Sequence, residues 1–142
     1  MKIRKMQRND VEIVYEQGRK EKMFHVAENT FFWGREELLG WVKSRDDVLL
    51  VAEHEKRVIG HLLCMLHNPT RTAKIENLFV DESFRKRGVG SDLIRECMNQ
   101  LKNKGIRYVS ALVKPENKSS SELLKSFGFK TGYGFTWMEK YL

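Results

Sequence analysis

The stretch from Lys74 to Ser91 constrains the fold of this chain more than any other. Lys74–Val80 has strand composition, and Asp81 to Gly90 is a polar, basic, glycine-containing connection. Val89, Leu93, Ile94, Cys97, Met98 and Leu101 then recur at helical spacing. A further β-prone run follows at Arg107–Val113, after Gly105 has supplied a helix stop. Strand, helix and strand in that order imply a right-handed crossover between parallel strands. The glycine turn has a second consequence. Glycine lets the backbone approach a ligand closely, and the free N–H groups of a helix N-terminus attract phosphate. Arg85, Lys86 and Arg87 add positive charge at the same mouth. The spacing is not that of a Walker A loop, because no Gly-Lys-Ser/Thr follows, and the G-x-G-x-x-G triple of dinucleotide sites is missing.

The remaining elements fall on either side of this unit. Lys2–Met6 reads as a first strand. Asn9 three residues before Glu12 reads as a helix cap, for a helix from Val11 to about Lys22. A second helix is expected over about Arg35–Ser44, with Leu38, Leu39 and Val42 on one side. Phe24, Phe31, Phe32 and Trp33 lie in a loop-like region between them and read as cover for the sheet. Val48–His54 and Val58–His67 form a hairpin across Glu55-Lys56, ended by Asn68-Pro69-Thr70. Beyond the turn at Pro115-Glu116-Asn117, Ser119 and Glu122 offer a second capping box, for a helix to about Phe127 that Gly128 ends. Tyr133–Lys140 reads as a last strand, with Phe129–Thr131 open as a small extra one. The expected fold is α/β: a mixed sheet with helices on both faces, in one domain over residues 1–142.

Composition narrows the function classes. The net charge is +7 and it is uneven: residues 1–71 carry 13 basic and 11 acidic side chains, residues 72–142 carry 13 and 8. The excess sits with the glycine turn and suits an anionic ligand, either a phosphorylated cofactor or nucleic acid, or else a solvated lysine-rich surface. Apolar stretches such as Val58 to Leu66 fall far short of the roughly 20 residues that span a bilayer. No apolar segment follows the basic start Met1-Lys2-Ile3-Arg4-Lys5. Cys64 and Cys97 are too few for a disulfide scaffold or a four-thiolate zinc site. A reducing, cytoplasmic setting with two free thiols and no metal is expected.

Arg85-x-x-Gly88-x-Gly90 resembles the acyl-CoA signature of the GNAT N-acetyltransferase superfamily, [Arg/Gln]-x-x-Gly-x-[Gly/Ala]. Asn117, Leu123, Gly128 and Phe129 match that family's second cofactor segment, N-x5-L-x4-G-F, and Gly60 in the preceding strand also fits. Residues 58–129 carry the specific resemblance, and residues 1–57 agree in element order. The resemblance implies a mostly antiparallel sheet in which one central parallel pair splays apart, with acetyl-CoA as cofactor. It further implies that Leu78, Phe79 and Val80 offer backbone hydrogen bonds to the pantetheine arm. The amides of Lys86, Arg87, Gly88, Val89, Gly90 and Ser91 would cradle the pyrophosphate with Arg85 nearby, while Asn117 and Ser120 flank the pantetheine and adenylate side.

Acetyl transfer to an amine needs a base, because a free alkyl ammonium has a pKa of about 10.4. Glu76, nine residues before Arg85, matches a catalytic glutamate of some polyamine acetyltransferases of the family, and a structural ion pair is its other reading. The acid is where the sequence departs: Leu124 stands where many members have Tyr. Tyr133 or a water is left to substitute, and a thiol of pKa about 8.5 leaves fairly well unassisted. His61 and His67 share a predicted strand face, and either could line the site. Cys64 and Cys97 read as core residues. Two other readings stay open, a non-catalytic acyl-CoA-binding module and a basic nucleic-acid-binding domain. The acceptor would be a small-molecule or peptide amine. The positive charge disfavours a free polyamine and leaves a protein amine, an amino acid or an amino sugar. No membrane partner is expected, and a homodimer is left open.

Overall fold

The structure is a computed structural model, described here for residues 1–26 and 32–142. Phe31 of the predicted aromatic loop lies outside the described residues. Five strands form one sheet in sequence order: β1 (Lys2–Lys5), β2 (Val48–His54), β3 (Arg57–His67), β4 (Thr72–Val80) and β5 (Tyr108–Ala111). The first four pair antiparallel and β4 pairs β5 in parallel. The helices are α1 (Val11–Lys20), α2 (Arg35–Trp41), α3 (Val89–Asn103) and α4 (Lys118–Ser126).

Alternation along the strands builds two cores, one on each face. Leu50, Ala52, Leu62, Cys64, Ala73 and Ile75 meet α3 through Leu93, Ile94, Cys97 and Leu101, with Leu124 of α4. Leu49, Val51, Val58 and Leu63 meet α1 and α2 through Val11, Val14 and Leu38. A sheet buried on both faces explains why β2 and β3 read as continuous apolar runs rather than as alternating ones. Arg4 fastens the first edge, pairing with Asp10 at 2.7 Å and Glu53 at 2.7 Å. These carboxylates hold the guanidinium firmly charged, Asp10 most of all.

Several boundaries differ from the expectation, each for a local reason. Asn9 caps nothing: Arg8–Asp10 is a 3-10 turn, closed by the Asp10 carboxylate accepting from Gln7 N–H at 2.7 Å. The first helix ends at Lys20, because Glu21 turns extended and accepts from Met23 N–H to start a second 3-10 turn at Lys22–Phe24. Asn117, not Ser119, caps α4, its Oδ1 accepting from Ser120 N–H at 3.2 Å. The largest difference is at the end of the chain. Residues 129–142 form no strand, either at Tyr133–Lys140 or at Phe129–Thr131. Alternating aromatics make a segment able to pair, but a strand exists only with a neighbour, and here none takes it up.

His61 is the main polar group sealed in the second core. Its Nδ1 lies 3.0 Å from Gln17 Oε1, and Gln17 in turn donates to Val58 C=O at 3.0 Å. Its ring stacks on Phe79 at 5.4 Å, and Nε2 has no partner among the described residues. Burial therefore pushes its pKa down to about 3. The unfolded chain protonates this histidine near pH 6.5 while the folded chain does not, so the folded state loses stability as pH falls from there toward 3. The expected slope is at most about 1.4 kcal/mol per pH unit in that window. Urea titrations of wild type and His61→Asn at pH 7, 5.5 and 4.5 check this: the wild type should weaken more steeply on acidification than the variant.

Candidate active site

The site begins where two strands stop pairing. β4 and β5 are in register from Thr72–Tyr108 to Ile75–Ala111 and no further, although β4 runs on to Val80. On its other edge β4 stays paired with β3 as far as Val80–Gly60, and Asp81 N–H donates to Ile59 C=O at 2.8 Å. In an antiparallel ladder that bond fixes the alternation: Phe79 and Asn77 exchange bonds with His61 and Leu63. The peptide groups of Leu78 and Val80 then point to the opposite edge, where β5 has left. Of the three residues expected to present backbone to a pantetheine arm, Leu78 and Val80 face the gap, whereas the Phe79 backbone is turned to β3.

A β-bulge lies at the point of parting. Leu63 pairs with Asn77 and Cys64 with Ile75, so Glu76 is the extra residue. A bulge bends its strand and re-aims a side chain, and this one shifts the alternation so that Ile75 and Leu78 both face α3. The Glu76 side chain is only 16% exposed, and its Oε2 lies 3.4 Å from Lys74 Nζ. Glu76 is thus ion-paired, and it also lines the cleft.

The cleft has two adjoining hollows of about 510 and 450 Å³ that share Met23, Phe24, Leu78, Asn117 and Ser120. Glu76, Lys74, Trp33 and Met65 wall the first, and Val80, Arg85, Lys86 and the turn from Gly88 to Ser91 wall the second. At that second end the chain makes a cup. Lys86 and Gly88 take positive φ, 58° and 86°, and α3 starts at once. Its first helical bond runs from Asp92 N–H to Gly88 C=O, leaving the amides of Val89, Gly90 and Ser91 without acceptors inside the helix. A Cβ on Gly90 would meet Leu123 at 3.0 Å, so this glycine keeps the floor of the cup open. Arg85 donates through Nε to Val80 C=O at 2.8 Å and pairs with Glu21 at 3.2 Å. Arg87 sits 5.7 Å from the Phe84 ring and is not on the wall.

An unpaired strand edge beside an amide cup suits a ligand with amide groups along its length and phosphate at one end. Coenzyme A has that form, so the residues fit the donor. The Asn117 side chain is committed to its cap, and it lines both hollows together with Ser120.

A family model described as "Acetyltransferase (GNAT) family" matches residues 11–129. The chain belongs to this family. It is 33% identical to an uncharacterized N-acetyltransferase of Methanocaldococcus jannaschii over 96 residues, 63% of this chain and 42% of that protein. It is 36% identical to an L-2,4-diaminobutyric acid acetyltransferase of Shouchella clausii over 81 residues, 56% of this chain and 46% of that protein. The matched stretch thus spans less than half the length of either relative. Among solved structures, a PaiA N-acetyltransferase of Thermoplasma acidophilum in complex with coenzyme A superposes with a TM-score of 0.78 at 21% identity, covering 92% of this chain and 90% of that one. At that identity the likeness is one of fold.

The other candidates fall away from the cleft. His67 is exposed and bonds Thr70 Oγ1 at 2.7 Å, and His61 is sealed in the second core. Cys64 and Cys97 are free and buried in the first core, where contact with Cys97, and then burial, push the Cys64 thiol well above the usual thiol range. Tyr133, considered as a substitute acid, stands 92% exposed and off the cleft wall. Leu124 is confirmed as a buried leucine of the first core that also touches the cleft. Sequence reasoning missed Asn77, whose Oδ1 accepts from Trp33 Nε1 at 2.7 Å and fixes an aromatic wall. A polar residue inside a buried strand run was the available signal. It also missed Trp137 on the wall of the first hollow, because nothing in its own segment marks it.

The glycines give a paired prediction. Gly88→Ala forces a left-handed backbone on an L side chain and should cost about 1–2 kcal/mol. Gly40→Ala, in α2 with nothing within 4 Å of the added carbon, should instead stabilise by about 0.4–1 kcal/mol. Urea unfolding of the two variants should move in opposite directions from wild type.

Proposed function

We propose that this chain is an acetyl-CoA-dependent N-acetyltransferase that acetylates a primary amine by direct attack on the thioester. The observation that carries the reading is the single cleft with an amide cup at one end and the Glu76 carboxylate at the other. Bound acetyl-CoA supplies an electrophilic carbonyl and a thiol that leaves. The chain's own residues do the rest. The edge of β4 at Leu78 and Val80 receives the pantetheine arm, and the amides of Val89, Gly90 and Ser91 receive the pyrophosphate. Arg85, tied to Val80 C=O and Glu21, fixes the near lip of that cup. Glu76 takes the proton from the acceptor ammonium, directly or through one water, and the free amine then bonds to the acyl carbon as the carbon–sulfur bond breaks, its second proton passing through water to the thiolate. An N–H near Leu78 polarises the carbonyl. No acid side chain is assigned to the thiol. Leu124 cannot donate, and water protonates the thiolate.

The described wall of the acceptor hollow suggests what the amine is attached to. It holds one carboxylate, Glu76, with the cations Lys74 and Lys114, among apolar groups that include Met23, Phe24, Trp33, Met65 and Trp137. Aromatic and thioether groups around one carboxylate suit an amine carried on an apolar body, since a ring face and a carboxylate both favour a lone cation. A polycation would need several carboxylates. This favours a singly charged amine over the aminoglycosides named for two relatives from Salmonella.

Incubation with acetyl-CoA and a panel of amines, read by release of free thiol, tests the activity. Failure of coenzyme A to bind in calorimetry would falsify the whole reading. Glu76→Gln should lower kcat by about 10²–10⁴-fold while leaving coenzyme A affinity close to wild type. A variant as active as wild type would leave Glu76 as an ion-pair partner of Lys74 and no more. Binding of the cofactor with no turnover of any amine would point to a non-catalytic acyl-CoA-binding module.

A further inference from the structure

Two cations on the wall of the acceptor hollow have no part in the reaction proposed above. Lys74 and Lys114 stand there with Glu76, the one carboxylate among the described residues of that wall. The Lys74 ammonium lies 3.4 Å from Glu76 Oε2, so these two charges offset each other. The Lys114 charge is not offset. Its Nζ donates to Lys22 C=O at 3.1 Å, a neutral acceptor, and no described carboxylate pairs with it. An ammonium has three N–H donors, and that bond uses one. The bond also ties the segment after β5 to the turn Lys22–Phe24, whose Met23 and Phe24 wall both hollows. The Lys114 head is therefore held at the cleft. It lines the first hollow and not the second, away from the cup proposed for the donor's pyrophosphate. The rest of the wall is a fixed aromatic surface. Trp33 is held by Asn77 Oδ1 at 2.7 Å and packs edge-on against Trp41 at 5.1 Å, while Phe24 stacks on Phe32 at 5.7 Å. Rings anchored in this way lose little freedom when a flat apolar body packs against them.

Resting on the acetyl transfer proposed above, we infer that the acceptor is an amino carboxylate with an aromatic body: Glu76 receives its ammonium, Lys114 its carboxylate and Trp33 its ring. Charge decides between this acceptor and an amine alone. The described wall sets two ammonium groups against one carboxylate, a balance of +1. A lone cationic acceptor raises that balance, and like charges repel more strongly in a cleft walled by apolar groups than in water. An acceptor with both an ammonium and a carboxylate adds no net charge. It also gives the two unused donors of Lys114 a charge-assisted partner. The amino end of a peptide or protein lacks this group, because its α-carboxyl is an amide, so an amide probe stands for that class of acceptor.

Calorimetry on the full chain, with and without coenzyme A, reads this directly. The probes are L-phenylalanine against L-phenylalaninamide, and para-aminomethylbenzoate against its amide. The carboxylate is thus offered close to the amine and across a ring from it. In at least one pair the acid should bind about 10–100-fold more tightly than the amide, the range of a hydrogen bond to a charged group. Lys114→Gln keeps a donor for Lys22 C=O and should erase that advantage, whereas Lys114→Arg should keep most of it. Acid and amide binding alike in both pairs would overturn the inference, as would binding of neither. An advantage that survives Lys114→Gln overturns it as well, because another cation then holds the carboxylate. The comparison needs no turnover. A chain that prefers the acid but releases no thiol from acetyl-CoA supports this inference and defeats the proposed reaction. Turnover of the amides, with the acids unbound, does the reverse.

Discussion

Everything functional in this molecule follows from one unmade set of hydrogen bonds. β4 continues for five residues after β5 has left it, from Glu76 to Val80. A strand edge deprived of its neighbour is costly unless something else satisfies it, about 1–3 kcal/mol for each buried group left unpaired. The chain satisfies one such group itself, by bringing the Arg85 guanidinium to Val80 C=O. The others face a cleft that water or a ligand's own amides can fill. The gap is thus a binding determinant by default: whatever enters gains hydrogen bonds that the fold has already positioned and does not have to rearrange.

The bulge at Glu76 serves the same end. Were β4 to alternate strictly through Glu76 with no bulge, Ile75 and Leu78 would fall on opposite faces of the sheet, and the first core would lose its continuity toward α4. With it, both residues face α3. The carboxylate meanwhile stays on the cleft wall beside Lys74 rather than in the core. One inserted residue therefore separates packing from chemistry over four positions. Gly60 shows how tightly the neighbouring strand follows, since a Cβ there would come within 2.7 Å of Phe79 C=O.

Much of this was legible in the sequence, and the boundary of legibility has physical meaning. The crossover from β4 through α3 to β5 was readable because strand and helix periods and their glycine punctuation are local. The cup was readable because backbone approach to an anion demands glycine at fixed offsets from a helix start. The parting of the strands could be stated only as an implication of family resemblance, because it depends on where pairing stops and no residue type marks that. Likewise Asn9 and Ser119 carried capping chemistry that the fold does not use: Asp10 closes the turn ahead of α1 by accepting from Gln7 N–H, and Asn117 caps α4. The failed last strand is the same lesson at larger scale. Tyr133 to Tyr141 has the pattern of a strand, but pattern specifies a face, and only a neighbour supplies the ladder.

Leu124 turns on the relative demand of two proton transfers. An acceptor amine of pKa about 10.4 is present as free base in about one molecule in 2,500 at pH 7, a deficit of about 4.6 kcal/mol. A thiol of pKa about 8.5 lies only about 1.5 units above that pH, so stabilising its anion demands about 2 kcal/mol. The deprotonation step therefore asks more than twice as much of the protein as the leaving group does. On the proposed function, a chain with the Glu76 carboxylate on the cleft wall and a buried leucine at the acid position has its one carboxylate of that hollow at the harder step. The leucine meanwhile closes the first core, where Leu124 meets Ile94 of α3 at the point where the sheet has opened. A tyrosine there would bring a hydroxyl requiring its own partner into that seam. On this reasoning the missing acid is the cheaper omission, because core closure is gained at the end of the reaction that least needs help.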